Sequence, residues 1–587
     1  MDDLSFSINQ EKKIFFAAIE SKIEENKAKL SREPGNVSIL KELAAHSARI
    51  GMYDLSVYFA TEVLNYEPDS LSGTLHCLQY LLLNGQEIEA QNLVNSFLKR
   101  KDVFKKEKKN SREMVKLVQV ISKVFGDKKK AILFAQSAID QSSKNKDFLI
   151  FSSRINQMLF GDIKVSRSKL CKAIKNHPID LSIIDQWMNL YIKIDAKKCL
   201  NLCKTLSKKY PEFEDVISRK KFFAYSSLGE KQKAEKCLNE YDDKIQFLFH
   251  KTGMDPEYLN KVNINELLKI YEKQIFYAES LHLMKFNHPL ALLSFVISRK
   301  YKSLKNFDKK NYFLDCAHKS IYKYHYFSEK NNLALKSEMP DTLFKMSKIA
   351  ESKLKLTNHR KNLTSPIFII GLPRSGSTLI EKIVSQKKDI IGFGECQIVK
   401  KLIFNLILKN SSPSLLKLYK NEFKSLGNSQ RFVDKTLNNF PFIGIILKSF
   451  PNAKFINCIR DSKENALAIY NILFDTIPWA HTLENILNYM DKYYHIINKF
   501  SKKFASNIYN IQHQNLVNNP EREVSKLFKF LDIKYDPEVL NNKNNPSQVC
   551  TASNWQVREK ISSKFLKKYT NDYYLLNKFY SHYEWLK

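Results

Sequence analysis

The stretch FIIGLPRSGSTLIE, Phe368 to Glu381, runs from an apolar segment through a turn of Gly, Pro and Ser residues into a helical pattern. Strand, turn and helix in that order are the grammar of a loop that cradles phosphate on backbone N–H groups. A nucleotide-triphosphatase loop has two glycines five positions apart, followed by Lys and then Ser or Thr. Here Gly371 and Gly376 keep the spacing and Thr378 keeps the hydroxyl, but Ser377 stands where the lysine would be. Residues 376 to 378 are expected to open the helix, so their N–H groups and the helix dipole favour an anion. Ser375, Ser377 and Thr378 add hydroxyls, and Arg374 adds a forked cation that suits planar or tetrahedral oxyanions. Without the lysine the loop is poorly equipped for β and γ phosphates with magnesium. It suits a single 5′-phosphate that carries a transferable group.

Four further segments offer polar side chains for the same chemistry. Glu395 stands in IGFGECQIV, Lys435 in VDKTLNNF, Arg460 in FINCIRDSKENALAIY and Ser553 in TASNWQVREKI. Each has a plain structural alternative: a helix-terminal acid, an ion pair with Asp434, a partner for Asp461, and a loop serine. With the loop, and in this order, the segments resemble the sulfotransferase family over about residues 365 to 565. The closest likeness is to bacterial members with tetratricopeptide repeats, and the branch that sulfates protein tyrosine is similar too. The resemblance implies a donor co-substrate, 3′-phosphoadenosine 5′-phosphosulfate (PAPS), and no metal. It implies that Arg374, Ser375, Gly376, Ser377 and Thr378 hold the 5′-phosphosulfate and that Arg460 holds the 3′-phosphate. It also implies that Glu395 is the catalytic base, that Lys435 and Arg374 act near the leaving group, and that Ser553 closes over the nucleotide. Two positions depart from the family. Ala468 replaces a usual serine, which removes a hydrogen bond to the 3′-phosphate of about 1–2 kcal/mol, with Ser462 a candidate substitute. His513-Gln514 replaces a usual Tyr-acid pair, which bears on an adenine-side or structural contact.

Positioning these groups requires strands. IFIIG, KFINCIR and NIYNIQH read as buried strands, with helices from SGSTLIEKIVSQ, from ENALAIYNILF and after Asn519-Pro520-Glu521, where Asn is the expected cap. Alternating strands and helices imply a parallel sheet covered on both faces, with ligands at the carboxyl ends of its strands. Tyr470 and Phe474, four apart, read as the core face of one helix.

The first half reads differently. Gly51 and Gly85 are 34 residues apart, as are Pro34 and Pro68, and Ala60 and Ala90 follow the glycines on the expected inner faces. Weaker copies come at Gly126 with Ala131, Gly161 with Ala173, and Gly229 with Ala234, while Pro178 and Pro211 stand 33 apart. That period resembles tetratricopeptide repeats, helix pairs that bury their apolar faces only by stacking into a solenoid with a concave surface. YKSLKNFDKKNYFLDCAHKS continues the helix-turn-helix rhythm. The expected fold is therefore multidomain: an all-α tetratricopeptide-like solenoid over residues 1–250, a helical connecting region over 251–362, and an α/β, P-loop-like sulfotransferase domain over 363–587.

Composition sets the remaining bounds. The formal net charge is +34, but Lys is spread along the whole chain and no basic module alternates with aromatics, so no specific nucleic-acid partner is expected. The nine cysteines show no C-x-x-C, Cys199 and Cys203 lie one helical turn apart without histidines, and the thirteen histidines form no triad or metal spacing. No stretch of about 18 apolar residues spans a membrane, and MDDLSFSINQEKK is not a secretory signal, so the expected location is cytoplasmic. The expected reaction moves a sulfuryl group from PAPS to a hydroxyl of a protein, saccharide or lipid acceptor, with a protein partner on the repeat surface. Two rivals stand beside it. A P-loop kinase requires the lysine that Ser377 replaces. A non-catalytic repeat scaffold with a degenerate nucleotide domain draws support from Ala468.

Overall fold

Helices of the first hundred residues stop and restart through one repeated turn. The computed structural model describes residues 2–99, 116–118, 120–121, 149–150, 152–153, 163–176, 181–280, 284–326, 332–354, 365–408, 414–422, 431–475, 477–541, 561 and 566–586. Helices Asp2–Arg32, Val37–Arg49, Tyr53–Tyr66, Leu71–Leu83 and Glu87–Lys99 each pack on the next. Asn36 starts the second by accepting the N–H groups of Ser38 and Ile39, and Ser70 starts the fourth by accepting that of Gly73. Gly51 and Gly85 sit in the left-handed region at φ 79° and 77°. Beside them Met52 N–H donates to Ser47 O at 3.0 Å and Gln86 N–H to Leu81 O at 2.8 Å, the six-to-one closure of a Schellman turn. Gly229 (φ 79°) repeats the closure, with Glu230 N–H on Tyr225 O at 3.0 Å. Ala60, Ala90, Ala173 and Ala234 are all buried. Gly126, Ala131, Gly161 and Pro178 lie outside the described residues.

The chain divides into two units, one of Met1–Ile155, Asp243–Ser337 and Leu473–His481, the other of Asn156–Asp242, Glu338–Ile472 and Thr482–Lys587. In the first, helices Asn287–Ser303 and Phe307–Tyr326 form the hairpin that the sequence rhythm predicted. Lys305 takes the left-handed position (φ 57°) that glycine holds elsewhere. Leu290, Leu293, Val296, Ile297 and Phe313 make the core of this part, and Leu473 packs against it. His325 bonds Asp475 at 2.7 Å, and buried His318 meets His481 at 3.2 Å.

The second unit holds helices Ile163–Asn176 to Lys231–Leu238 and a five-stranded sheet. Its strands are β1 (Ile367–Gly371), β2 (Ile390–Gly392), β3 (Arg431–Asp434), β4 (Lys454–Ile459) and β5 (Ile508–Gln512), all parallel, in the order β2-β3-β1-β4-β5. Every residue of β1 is buried. Ile367 and Ile369 pack with Ile380, Ile383 and Val384 of helix Ser377–Val384 and with Val524, Leu527 and Phe528 of helix Pro520–Phe530. Phe368 stacks instead on Phe455, with ring centroids 5.4 Å apart, and meets Phe432 edge-on. The segment Leu437–Phe442 also packs on β1, so the sheet is covered beyond its helix-packed face, as parallel sheets require. The connection after β1 leaves toward β2 while that after its neighbour β4 leaves the opposite way toward β5, so a crevice opens between their carboxyl ends, where such sheets bind ligands.

Local pattern missed three details. β2 and β3 are short, each with two large apolar residues, too few to show a period. Helix Ser462–Tyr470 stops eight residues before Pro478, and Phe474 lies beyond it in the segment Leu473–His481 that belongs to the other unit. Helix Pro520–Phe530 opens with its proline as expected, but the Asn519 side chain makes no capping bond. Cys199 and Cys203 lie on helix Ala196–Lys209 as read, fully buried, with the Cys203 thiol 3.7 Å from Met188 Sδ.

Two glycine substitutions separate backbone strain from steric approach. A Cβ at Gly85 meets nothing within 4 Å, so Gly85→Ala costs only the left-handed conformation, about 1 kcal/mol. A Cβ at Gly371 would stand 2.8 Å from Cys458 O, so Gly371→Ala is expected to cost several times as much in chemical denaturation. Equal losses for the two variants would show that β1 and β4 spread apart freely at this edge.

Candidate active site

The loop after β1 is shaped by two residues that L side chains fit poorly. Arg374 has φ 68° and Gly376 has φ 91°, and Gly376 is the N-cap of helix Ser377–Val384. A Cβ on Gly376 would lie 2.6 Å from His513 Cδ2, so only glycine lets the imidazole approach. Ser375, Ser377 and Thr378 are buried, and Ser375 Oγ has no hydrogen-bond partner among the described residues. Burial holds the Arg374 guanidinium below its ordinary pKa, and the neighbouring Arg460 pushes the same way. A hydroxyl and a strained cation at a helix start form a cradle for an oxyanion.

Arg460 follows β4 directly. Its Nη1 donates to Arg374 O at 3.3 Å and its Nη2 to Glu464 Oε2 at 3.1 Å. Asn465 Nδ2 donates to Pro373 O at 2.7 Å, so the helix after β4 grips the loop after β1. Asp461 caps that helix through Glu464 N–H at 3.0 Å. Glu464 is buried and also accepts Lys568 N–H, Tyr569 N–H and Tyr573 O–H at 3.1–3.2 Å, which ties the C-terminal segment to the arginine. Tyr569 feels both Arg374 and Arg460, and burial raises its pKa. Ala468 is fully buried, and Ser462 Oγ lies 3.3 Å from Tyr494 O–H. Ser553 lies outside the described residues.

On the other side of β1, residues 393 to 395 run beside the end of β3. Phe393 N–H donates to Val433 O at 2.8 Å and Lys435 N–H to Gly394 O at 2.9 Å. This brings Glu395 and Lys435 together, with Lys435 Nζ 2.8 Å from Glu395 Oε1. The exposures are unequal: 1% of the Lys435 side chain and 49% of that of Glu395. Glu381, on the helix after the loop, completes the group. Its Oε1 accepts Gly394 N–H at 2.9 Å and its Oε2 lies 3.9 Å from Lys435 Nζ. Burial raises the Glu381 pKa, with Lys435 and the Gly394 N–H acting against it. Burial alone would lower the Lys435 pKa, but Glu395 and Glu381 outweigh it and the net shift is upward. Asp434, fully buried, takes no part in holding Lys435 by hydrogen bond; it accepts Tyr419 O–H at 2.5 Å and Thr436 N–H at 2.8 Å.

The sheet edge therefore gathers Arg374, Ser375, Gly376, Ser377 and Thr378 with Arg460, and joins Glu395 to Lys435. Glu381, Glu464 and Tyr569 escaped the reading of the sequence. Glu464 had a signal, since it stands one helical turn from Arg460. Glu381 and Tyr569 had none, because their partners lie 13 or more residues away.

Residues 366–537 match the model of the Sulfotransferase family. An uncharacterized protein of Aquifex aeolicus (strain VF5) is 30% identical over 230 residues, covering 35% of this chain and 30% of that protein. The protein-tyrosine sulfotransferase of Drosophila melanogaster is 23% identical over 250 residues, covering 36% of this chain and 50% of its own. Sulfotransferase 1B1 of Canis lupus familiaris is 26% identical over 234 residues, covering 34% of this chain and 74% of its own. The chain thus spans half or less of two of these relatives. A helix-rich N-terminal region precedes a sulfotransferase family domain built on a parallel sheet. Among the described residues, no helix is long and apolar enough to cross a membrane.

The charge group at Lys435 has a pH signature. Lys435→Met breaks a buried pair, which costs about 3–5 kcal/mol at neutral pH. It also removes the cation that opposes burial at Glu381, so that carboxyl moves further above its ordinary 4.5. A group whose pKa is higher in the folded than in the unfolded state takes up protons on folding, so its penalty fades as pH falls through the folded value. The variant should recover about 1 kcal/mol or more relative to wild type as pH is lowered from neutral towards 5, measured by urea denaturation. The same pH dependence in both proteins would mean that Lys435 does not hold down the Glu381 pKa.

Proposed function

We propose that the chain transfers a sulfuryl group from PAPS to an acceptor hydroxyl. The observation that carries this reading is the pairing of a lysine-less loop, faced by Arg374 and Arg460, with a half-exposed carboxylate on a buried lysine, within the span that matches the Sulfotransferase family. The cradle suits the donor: Gly376 leaves the loop without a Cβ, Ser375 holds a buried hydroxyl, and Arg460 bonds the Arg374 carbonyl and bears on its guanidinium. PAPS, when bound, supplies the sulfuryl group and a stable nucleotide leaving group.

The residues divide the work. Loop N–H groups, Ser375, Ser377, Thr378 and Arg374 bind the phosphosulfate end, and Arg460 binds the 3′-phosphate. Ser553 would close over the nucleotide. Glu395 takes the acceptor's proton, because of the two carboxylates near Lys435 it is the one that reaches solvent. Lys435 and Arg374 stabilise negative charge that grows between sulfur and phosphate as the bond breaks. Catalysis then rests on positioning and charge, with the acceptor oxygen in line. Acceptors are hydroxyls of a protein, saccharide or lipid. The turns at Gly51, Gly85 and Gly229 support a tetratricopeptide-like reading of the helical region, whose stacked faces would hold a protein partner or an extended acceptor. A cytoplasmic location is part of the same reading.

The donor site is tested by thermal shift. The product nucleotide 3′,5′-ADP should raise the melting temperature without metal, by the equivalent of about 2.7 kcal/mol at 100 times Kd. ATP with magnesium should do much less, and equal stabilisation by ATP with magnesium overturns the proposal.

Glu395 and Arg374 should fail differently. Glu395→Gln keeps shape and hydrogen bonding but takes no proton, so turnover should fall about 10²–10⁴-fold while 3′,5′-ADP affinity holds. Arg374→Ala should lower both, because its cation meets the donor before and during reaction. Near-normal turnover in Glu395→Gln, with chemistry rate-limiting, would place the base elsewhere.

A further inference from the structure

His513 begins the helix His513–Asn518 directly after β5. The register pairs Ile459 with Gln512, so His513 and Arg460 leave neighbouring strands side by side. From the other direction the loop after β1 meets the ring, since a Cβ on Gly376 would stand 2.6 Å from Cδ2 and 3.5 Å from Nε2. The imidazole thus lies against the residue whose following N–H groups form the anion cradle. Its Nδ1 is buried and has no hydrogen-bond partner among the described residues. A proton on that nitrogen has no acceptor there until one arrives.

The surrounding charges are one-sided. The loop presents Arg374 and the end of β4 presents Arg460, and both act on the imidazole. The helix Pro520–Phe530, which packs on the short helix and on β5, carries Glu521, Arg522, Glu523, Lys526 and Lys529, with Glu523 already paired to Lys526 at 2.9 Å. None of these five charges acts on His513 as the two arginines do. Tyr569, which both arginines act on, has its pKa raised by burial and is neutral at ordinary pH. Burial, then Arg460 and Arg374, push His513 down to about 4, so the free protein holds a neutral imidazole. An anion seated on the same two guanidinium groups reverses the sign of the field.

We propose that His513 is a third anion-contacting group of the donor cradle and that it takes up a proton from solvent when the anion enters. The imidazolium then sets a positive charge beside the loop, where the neutral ring of the free protein has none. This rests on the donor reading above and adds to it a coupling of donor affinity to pH. The sign follows from linkage: a group that gains a proton on binding makes binding tighter as pH falls.

Calorimetry on the full chain tests this with 3′,5′-ADP at pH 5.5 and 7.5, in paired buffers of unlike ionisation enthalpy. Wild type is compared with His513→Gln and His513→Asn, so that one misfolded variant does not end the test. If the bound imidazole returns to its ordinary pKa, wild type should gain up to about tenfold in affinity at the lower pH beyond any gain in the variants, with about one extra proton taken up. Comparison with the variants subtracts the titration of the nucleotide's own phosphates. Equal pH dependence and equal proton uptake in wild type and variants overturn the inference and leave the donor reading standing. If wild type binds no 3′,5′-ADP at either pH, the donor reading falls, and inorganic pyrophosphate becomes the probe. Proton uptake on pyrophosphate binding that is lost in the variants then supports the role of His513. Uptake unchanged in the variants, or no binding of pyrophosphate, overturns it.

Discussion

An ammonium group with 1% of its side chain exposed stands only where counter-charges surround it, and the arrangement at Lys435 depends on that need. Lys435 follows β3, Glu395 follows β2, and Glu381 lies on the helix after β1. One buried cation thus draws on three strand ends. Glu381 also holds Gly394 N–H, so the same carboxylate that faces Lys435 sets the backbone that carries Glu395. Because Lys435 has two carboxylates near it, Glu395 can engage another group without leaving a bare charge in the interior. That asymmetry, one carboxylate half exposed and the other enclosed, is the reason the proposed role falls to Glu395 and not to Glu381.

The opposite half of the edge has the reverse balance. Arg460 is matched by Glu464, while Arg374 is desolvated at a helix start with its backbone in the left-handed region. Glu464 spreads its remaining acceptor capacity over two backbone N–H groups and a tyrosine of the C-terminal segment. The arginine is therefore held by a carboxylate that is itself held, a support that keeps a guanidinium in place with no ligand present. Two arginines on one side and a lysine-bound carboxylate on the other flank the loop after β1, the division of labour that the proposed transfer would use.

The helical region shows how one geometry is reached by different residues. Gly51, Gly85 and Gly229 adopt left-handed turns at no steric cost, and their spacing made them legible. Lys305 makes the same turn, with Asn306 N–H on Tyr301 O at 3.0 Å, although nothing in its residue type announces it. There the helices Asn287–Ser303 and Phe307–Tyr326 bury enough apolar surface to impose a conformation that lysine does not favour.

By itself the sequence determined what is local. The loop from Gly371 to Thr378, the strands at 367–371, 454–459 and 508–512, and the helix pairs around Gly51 and Gly85 follow from turn chemistry and period within a few residues. Glu395, Lys435 and Arg460 were legible as separate candidates, through segments whose order and composition resemble a family. Tertiary structure alone decided that Glu395 and Lys435 form one pair across 40 residues, that Glu381 supports both, and that His513 rests on Gly376. It also decided that β2 and β3 exist and that Phe474 leaves the helix of Tyr470. The reason is the same in each case. Turns and periods are set by neighbours along the chain, whereas strand order and the pairing of buried charges are set by what the closed sheet brings within reach.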